Sequence, residues 1–173
     1  MDINTIKNTI RDIPDFPQKG ILFKDITPVL QDKYVFGYCI DLLAEKVKSV
    51  KTDYICGAES RGFIFGSAVA YKLGLGFVPV RKPGKLPADV YRKSYTLEYG
   101  TNTLEIHKDA FPANARVVVM DDLLATGGTA RASAELVEMC NAKVASVLFL
   151  VELSFLKGRE VLKNYPVESI ISF

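Results

Sequence analysis

Apolar positions along the chain recur at two spacings that alternate from one segment to the next. The amphipathic stretch Asp2–Ile13 has helical spacing and meets Pro14, so a helix is expected there. Lys33–Val50 repeats the pattern through Val35, Cys39, Leu42, Leu43 and Val47. Short apolar runs then predict strands near Tyr54–Ala58, Phe77–Arg81, Val117–Asp121 and Val144–Glu152. Helices at about Phe63–Leu73 and Gly128–Cys140 lie between them, and a last strand is expected near Ser169–Phe173. Strand and helix in alternation argue for an α/β fold, a central and mostly parallel sheet flanked by helices. Between Lys82 and Asn114 the helical rhythm gives way to a Pro/Gly-rich, Tyr-rich, charged segment. It is too long for an ordinary connection and reads as a flexible, lid-like loop at about 82–114.

Composition narrows this picture. A chain of 173 residues, 49% of them hydrophobic, can bury one sizeable core, so a single domain over 1–173 is the expectation. A formal net charge of +2 provides no global field for nucleic acid or membrane, and neither is expected as a partner; a functional basic patch must be local. Cys39, Cys56 and Cys140 form no C-x-x-C pair and read as small buried hydrophobes of a reducing compartment. The first residues lack the apolar run of a signal peptide, and Val144–Val151 is too short to span a bilayer, so a cytoplasmic location is expected.

Several enzyme classes drop out. No G-x-x-x-x-G-K-[S/T] loop occurs, and "GLGFVP" precedes a strand where a dinucleotide fingerprint would follow one. The sole histidine, His107, has no G-x-S-x-G partner. No metal cluster made by protein groups alone is visible, so no metal-ligating residue is assigned.

The stretch "VVVMDDLLATGGTA", Val117–Ala130, carries the chemistry. In an open parallel sheet the ligand site lies beyond the carboxyl ends of the strands, and this run delivers Asp121 and Asp122 to that edge. The turn that follows opens a helix whose N-terminal amides attract an anion. A 5-phosphorylated ribose satisfies both features: its phosphate sits in the Ala125–Thr129 turn and its 2- and 3-hydroxyls donate to the carboxylates. Taken alone, the stretch also fits a strand end with a solvated Asp pair and a helix-capping turn.

The same stretch resembles the phosphoribosyl-diphosphate motif of the type I phosphoribosyltransferases, and its Ala-Thr-Gly-Gly-Thr version is similar to that of the adenine phosphoribosyltransferases. The resemblance continues through "FPQKGILFKDITPVL", "DYICGAESRGFIFG", "GFVPVRKPGKLP", "LEYGTNTLEIHKDA" and "LVEL…LKGRE", nearly the whole chain. It implies the type I fold with a small hood or lid. The activity implied is purine salvage: transfer of 5-phosphoribosyl from phosphoribosyl diphosphate to N9 of adenine, giving AMP and pyrophosphate. Mg²⁺ is the implied cofactor, carried on the substrate's oxygens, and a homodimer the implied assembly.

The resemblance also assigns roles. Asp121 and Asp122 would hold the ribose hydroxyls, and Ala125, Thr126, Gly127, Gly128 and Thr129 the 5-phosphate. The loop Glu59, Ser60, Arg61 would bind the leaving pyrophosphate, with Arg81, Lys82 and Lys85 of the basic run Arg81–Lys93 and with His107. Phe23 would stack on the purine, backbone groups at Lys24 would read its edge, and Leu123 would close its other face. Lys24 stands where many relatives carry Arg, which leaves backbone readout intact. Ala125 replaces the Asp found at this turn in 6-oxopurine enzymes, so Glu98 is the candidate acid/base, counted with Arg61 as catalytic, and Tyr99 would help close the lid. Without the resemblance, Phe23 reads equally as core, Glu98 as an exposed loop acid, His107 as structural and the basic run as a solvated loop. A non-catalytic sensor of phosphoribosyl diphosphate and a transferase for another base stay open on the turn motif alone.

Overall fold

Asp2 caps the first helix: its side chain accepts a hydrogen bond from the Thr5 amide at 2.8 Å, and α1 covers Ile3–Thr9. In the computed structural model, which describes residues 1–96 and 101–173, this helix stops short of the expected Ile13. Ile10 turns extended, and β1 (Arg11–Pro14) pairs antiparallel with β2 (Leu22–Asp25). The residues over 10–13 alternate in a way that suits either period. Cross-strand partners decide for the strand, among them Arg11 and Asp25, whose charged groups lie 2.6 Å apart. A short α2 (Thr27–Gln31) begins with Pro at its first turn, and Asp32 then accepts from the Tyr34 and Val35 amides to start α3 (Lys33–Lys48). The chain forms two compact units, Met1–Leu42 and Leu43–Phe173, where one domain was expected.

The second unit holds the sheet. Its elements are β3 (Tyr54–Ala58), α4 (Arg61–Leu73), β4 (Gly76–Val80), β5 (Val90–Thr96), β6 (Thr101–His107), β7 (Arg116–Leu124), α5 (Gly128–Met139), β8 (Lys143–Glu152), a 3₁₀ turn at Ser154–Leu156, α6 (Gly158–Val161) and β9 (Val167–Ser172). Strands β4, β3, β7, β8 and β9 lie in that order, all parallel, as the apolar runs predict. The chain leaves β3 for β4 on one side and leaves β7 for β8 on the other. Right-handed crossovers therefore put α4 and α5 on opposite faces. Consistent with this, Gly66 of α4 sits over Ile55 and Phe77, whereas Ala132, Leu136 and Val137 of α5 share a core with Cys56, Val119 and Phe149. All three cysteines are buried free thiols.

The segment expected as a loop at about 82–114 instead builds an antiparallel ribbon, β5 with β6. Its Tyr and Thr residues alternate along strands with a period of two, which leaves no helical rhythm. Arg81 and Glu105 exchange backbone hydrogen bonds at 2.9 and 2.8 Å and join the ribbon to the end of β4. Glu98 and Tyr99 lie outside the described residues. No helix among the described residues is long and apolar enough to cross a membrane.

At the far end of β8, the buried carboxylate of Glu152 receives Arg159 Nε and Nη2 at 2.7 Å each and Ser169 Oγ at 2.7 Å. Arg159 is the main cause holding the Glu152 carboxyl below its ordinary range. A carboxyl depressed by folding adds stability above its unfolded pKa and loses it as pH falls. Arg159→Ala should therefore cost about 2 kcal/mol in urea denaturation at neutral pH, and the deficit should shrink as Glu152 protonates in acid. A deficit that does not change with pH would contradict this assignment.

Candidate active site

Strand β7 outruns its neighbour. It pairs with β3 only as far as Met120, but with β8 through Leu124, so Asp121–Leu124 extend past the pairing with β3 at the point where the strand order reverses. A crevice opens at such a point in a doubly wound sheet. The strand was expected to end at Asp121; backbone pairing of Leu123 and Leu124 with Val151 and Glu152 carries it further. The extension places both acids on strand rather than on loop, with fixed directions to opposite sides.

Asp122 is buried, Asp121 half-buried. The Asp122 amide donates to Asp121 Oδ1 at 2.9 Å, and Arg61 Nε faces Asp122 Oδ2 at 3.0 Å, although that oxygen accepts no well-aligned hydrogen bond. Burial first, and the Asp122 charge second, push the Asp121 carboxyl well above the usual carboxylate range. Burial also raises Asp122, against the pull of Arg61. Gly62 makes this packing possible. A Cβ there would stand 2.9 Å from Asp121 Oδ1 and 3.0 Å from the Met120 carbonyl, so only glycine lets α4 approach the acids.

The turn after β7 reaches α5 through Gly127 at φ +86°. A side chain at Gly127 would be strained in that conformation and would stand 2.7 Å from the Gly158 carbonyl, since the Gly158 backbone packs against the turn. The first turn of α5, Gly128–Ala130, borders open space. Together the acids, the turn Ala125–Thr129 and the Glu59–Ser60–Arg61 loop line a cavity of about 350 Å³, which Lys82 also borders. The Glu59–Ser60 peptide bond is cis.

The three cations expected at a diphosphate take different positions. Lys82 borders the cavity, whereas Arg81 donates to Glu59 Oε2 at 2.9 Å and is not in its wall; neither is Lys85. Glu59 Oε2 also accepts from the Lys82 amide at 3.0 Å, so this acid of the cavity wall also aligns the basic segment. Buried Glu105 secures the other side of the segment, accepting from the Gly84 amide at 3.0 Å and from Arg92 Nε at 2.6 Å. His107, at the end of β6, accepts from the Ala88 amide at 3.4 Å and lies outside the cavity wall. Leu123 is in the wall. In the first unit, Phe23 is half-buried and meets Phe16 edge-on at 5.1 Å between ring centres, and Lys24 pairs with Asp12 at 2.6 Å. Sequence patterns alone single out none of Gly62, Tyr95, Glu105, Phe149 or Gly158. Their contributions are close approaches between segments distant along the chain.

A carboxyl raised on folding gives its full stability below the unfolded pKa and loses it as pH rises through the folded value. The acid pair therefore opposes folding above about pH 4. Asp121→Asn should be more stable than the parent at neutral pH, by on the order of 1–2 kcal/mol, with the gap closing toward pH 4. Denaturation midpoints measured across this range would overturn the assignment if the gap were absent at neutral pH or widened in acid.

Comparison with known proteins agrees with this geometry. A family model described as "Phosphoribosyl transferase domain" matches residues 29–171. The adenine phosphoribosyltransferase of Thermoanaerobacter pseudethanolicus is 57% identical over 173 residues, all of both chains. Its crystal structure covers 99% of this chain, and this chain covers 100% of it, with a TM-score of 0.97. The adenine phosphoribosyltransferase of Saccharomyces cerevisiae, solved with a dideoxy-imino-altritol bisphosphate and adenine, is 45% identical over 97% of each chain with a TM-score of 0.91. An acid pair at the sheet's reversal point, a helix-opening glycine turn beside it and these likenesses along the whole length converge, and the chain belongs to the type I phosphoribosyltransferases, among the adenine phosphoribosyltransferases.

Proposed function

We propose that the chain catalyses purine salvage by transferring 5-phosphoribosyl from phosphoribosyl diphosphate to N9 of adenine. The bond from C1 of the ribose to the diphosphate breaks, the bond from C1 to N9 forms, and the N9 proton leaves. AMP and pyrophosphate are the products. One observation carries this reading: a single cavity joins two carboxylates, a helix-opening glycine turn and a loop with a guanidinium at its end. Few ligands offer hydroxyls, a phosphate and a second anionic group at that spacing.

In this reading Asp121 and Asp122 accept the ribose hydroxyls. Donors arriving at the acids favour their charged form, which lowers the raised carboxyls as substrate binds. The amides and hydroxyls of Ala125–Thr129 hold the 5-phosphate. Ser60, Arg61 and Lys82 meet the diphosphate, with Glu59 and Arg81 holding that loop in place, and Lys85 and His107 keep the pyrophosphate-binding role that the family resemblance assigns them. Stabilising charge on the leaving group lowers the barrier, because it grows as the C1–oxygen bond lengthens.

Phe23, the backbone at Lys24 and Leu123 are assigned to the purine. Carbonyl acceptors meeting the 6-amino group would exclude a 6-oxo base, which presents acceptor to acceptor. Glu98 is assigned the N9 proton, and Tyr99 the closing of the lid. The cavity wall offers carboxylate and hydroxyl oxygens without thiolate or imidazole, a donor set that suits Mg²⁺. When bound with the substrate, Mg²⁺ would offset the diphosphate charge beside Asp121 and Asp122. A homodimer and a cytoplasmic location complete the proposal.

The direct test is pyrophosphate release with adenine, hypoxanthine, guanine, xanthine and orotate. Turnover with adenine alone is expected; an equal or greater rate with a 6-oxo base would refute the assignment. Asp121→Asn/Asp122→Asn should lose most turnover while still unfolding cooperatively, and near-parent activity would remove the acids from the reaction. Glu98→Gln should lower the rate of the chemical step by roughly 10²–10⁴ with modest change in substrate binding. Single-turnover kinetics would show Glu98 to be a lid residue if that rate were unchanged.

A further inference from the structure

Tyr95 sits on β5, outside every motif that drew attention in the sequence, yet its hydroxyl lies 2.9 Å from Thr129 Oγ1 in the first turn of α5. Its ring covers Gly128: a Cβ at that position would meet the ring at 2.9 Å, so the bare glycine is what lets a strand of the ribbon close on the turn. Two residues earlier, Lys93 Nζ meets Glu135 Oε2 at 2.7 Å and ties the same strand to the same helix. Tyr95 and Thr129 both line a second cavity, of about 430 Å³, which shares Glu59, Lys82 and Thr129 with the first.

We propose that Tyr95 is a positioning residue for the substrate's 5-phosphate, acting through Thr129. Each of the two hydroxyls carries one proton and can accept as well as donate. A threonine that faces an anion has to donate to it. Its oxygen is then left to accept, and the Tyr95 hydroxyl is placed to donate. Tyr95 thus points the Thr129 proton at the phosphate and holds the Thr129 rotamer, and the ring on Gly128 holds the backbone of the same turn. Without the Tyr95 hydroxyl, Thr129 can spend its proton elsewhere, and the free protein loses part of the order that binding needs. The inference rests on the phosphate-binding role proposed above for the Ala125–Thr129 turn.

The test is a double-mutant cycle on ligand affinity, with parent, Tyr95→Phe, Thr129→Val and the double variant titrated calorimetrically with AMP and with adenine. Tyr95→Phe keeps the ring and removes the donor. It should weaken AMP about tenfold, the size of one hydrogen bond in a charged network, and leave adenine unchanged. In steady-state kinetics KM for phosphoribosyl diphosphate should rise, with kcat and KM for adenine little altered. The double variant should bind AMP no more weakly than Thr129→Val, because the second residue acts only through the first. Thr129→Ser, which keeps the hydroxyl, should restore sensitivity to Tyr95→Phe.

Unchanged AMP affinity in Tyr95→Phe, or multiplicative losses in the double variant, would overturn the proposal. Equal weakening of AMP and adenine would do the same, since it marks general damage to the fold. If Thr129→Val binds AMP like the parent, the phosphate role of the turn fails and this inference with it. If Thr129→Val weakens AMP and Tyr95→Phe does not, the inference alone fails.

Discussion

The desolvated acid pair at the end of β7 is the constraint around which the rest of the second unit is arranged. Two adjacent carboxylates in a poorly solvated crevice repel each other and lack water, and one guanidinium, Arg61, partly offsets this. Such a pair persists only where other packing tolerates it. Here the strand carrying it has a parallel neighbour on each side, and Val117–Met120, which lead up to the acids, are buried. An acid pair whose burial opposes folding suits a ligand site better than a structural one.

Close backbone approach supplies the geometry that charge alone cannot. At Gly62 the helix comes up against Asp121; at Gly127 the turn comes up against Gly158. In both places a single methyl group would separate segments that must touch, and only Gly127 also uses its positive φ. The Glu152–Arg159–Ser169 network then holds α6, which begins at Gly158, behind the turn. The site is thus supported from below by strand ends and from the side by a short helix.

The ribbon gives the sheet a second role. Glu105 and Glu59 orient the basic segment Arg81–Lys85 by accepting its amides and pairing its guanidinium. Placing acids behind cations keeps the cations directed without cancelling the one, Lys82, that borders the cavity. Contact of β5 with α5 through Tyr95 and Lys93 joins the ribbon to the Ala125–Thr129 turn and the helix it opens.

Local chemistry written along the chain was enough for the parallel sheet, its helices and the acid-and-turn motif. Apolar runs, helical spacing and glycine turns are properties of neighbouring residues, and each imposes its conformation where it stands. The chain's end at β9 and the helix α3 follow from the same signals. The short α1 and the hairpin β1–β2 did not, because residues 10–13 satisfy two periods and the choice fell to a partner strand eight to fourteen positions away. The ribbon was hidden for the same reason: its strands are half-polar and gain stability from each other. Within the site, residue types were legible but their division of labour was not. Nothing in "RKPGK" separates Lys82, in the cavity wall, from Arg81, which pairs with Glu59, and nothing in "KSYT" marks Tyr95 as the neighbour of Thr129. Those relations join residues 22 and 34 positions apart; they exist only once the sheet has brought the segments together, because a hydrogen bond acts over a few ångströms of space and is blind to distance along the chain.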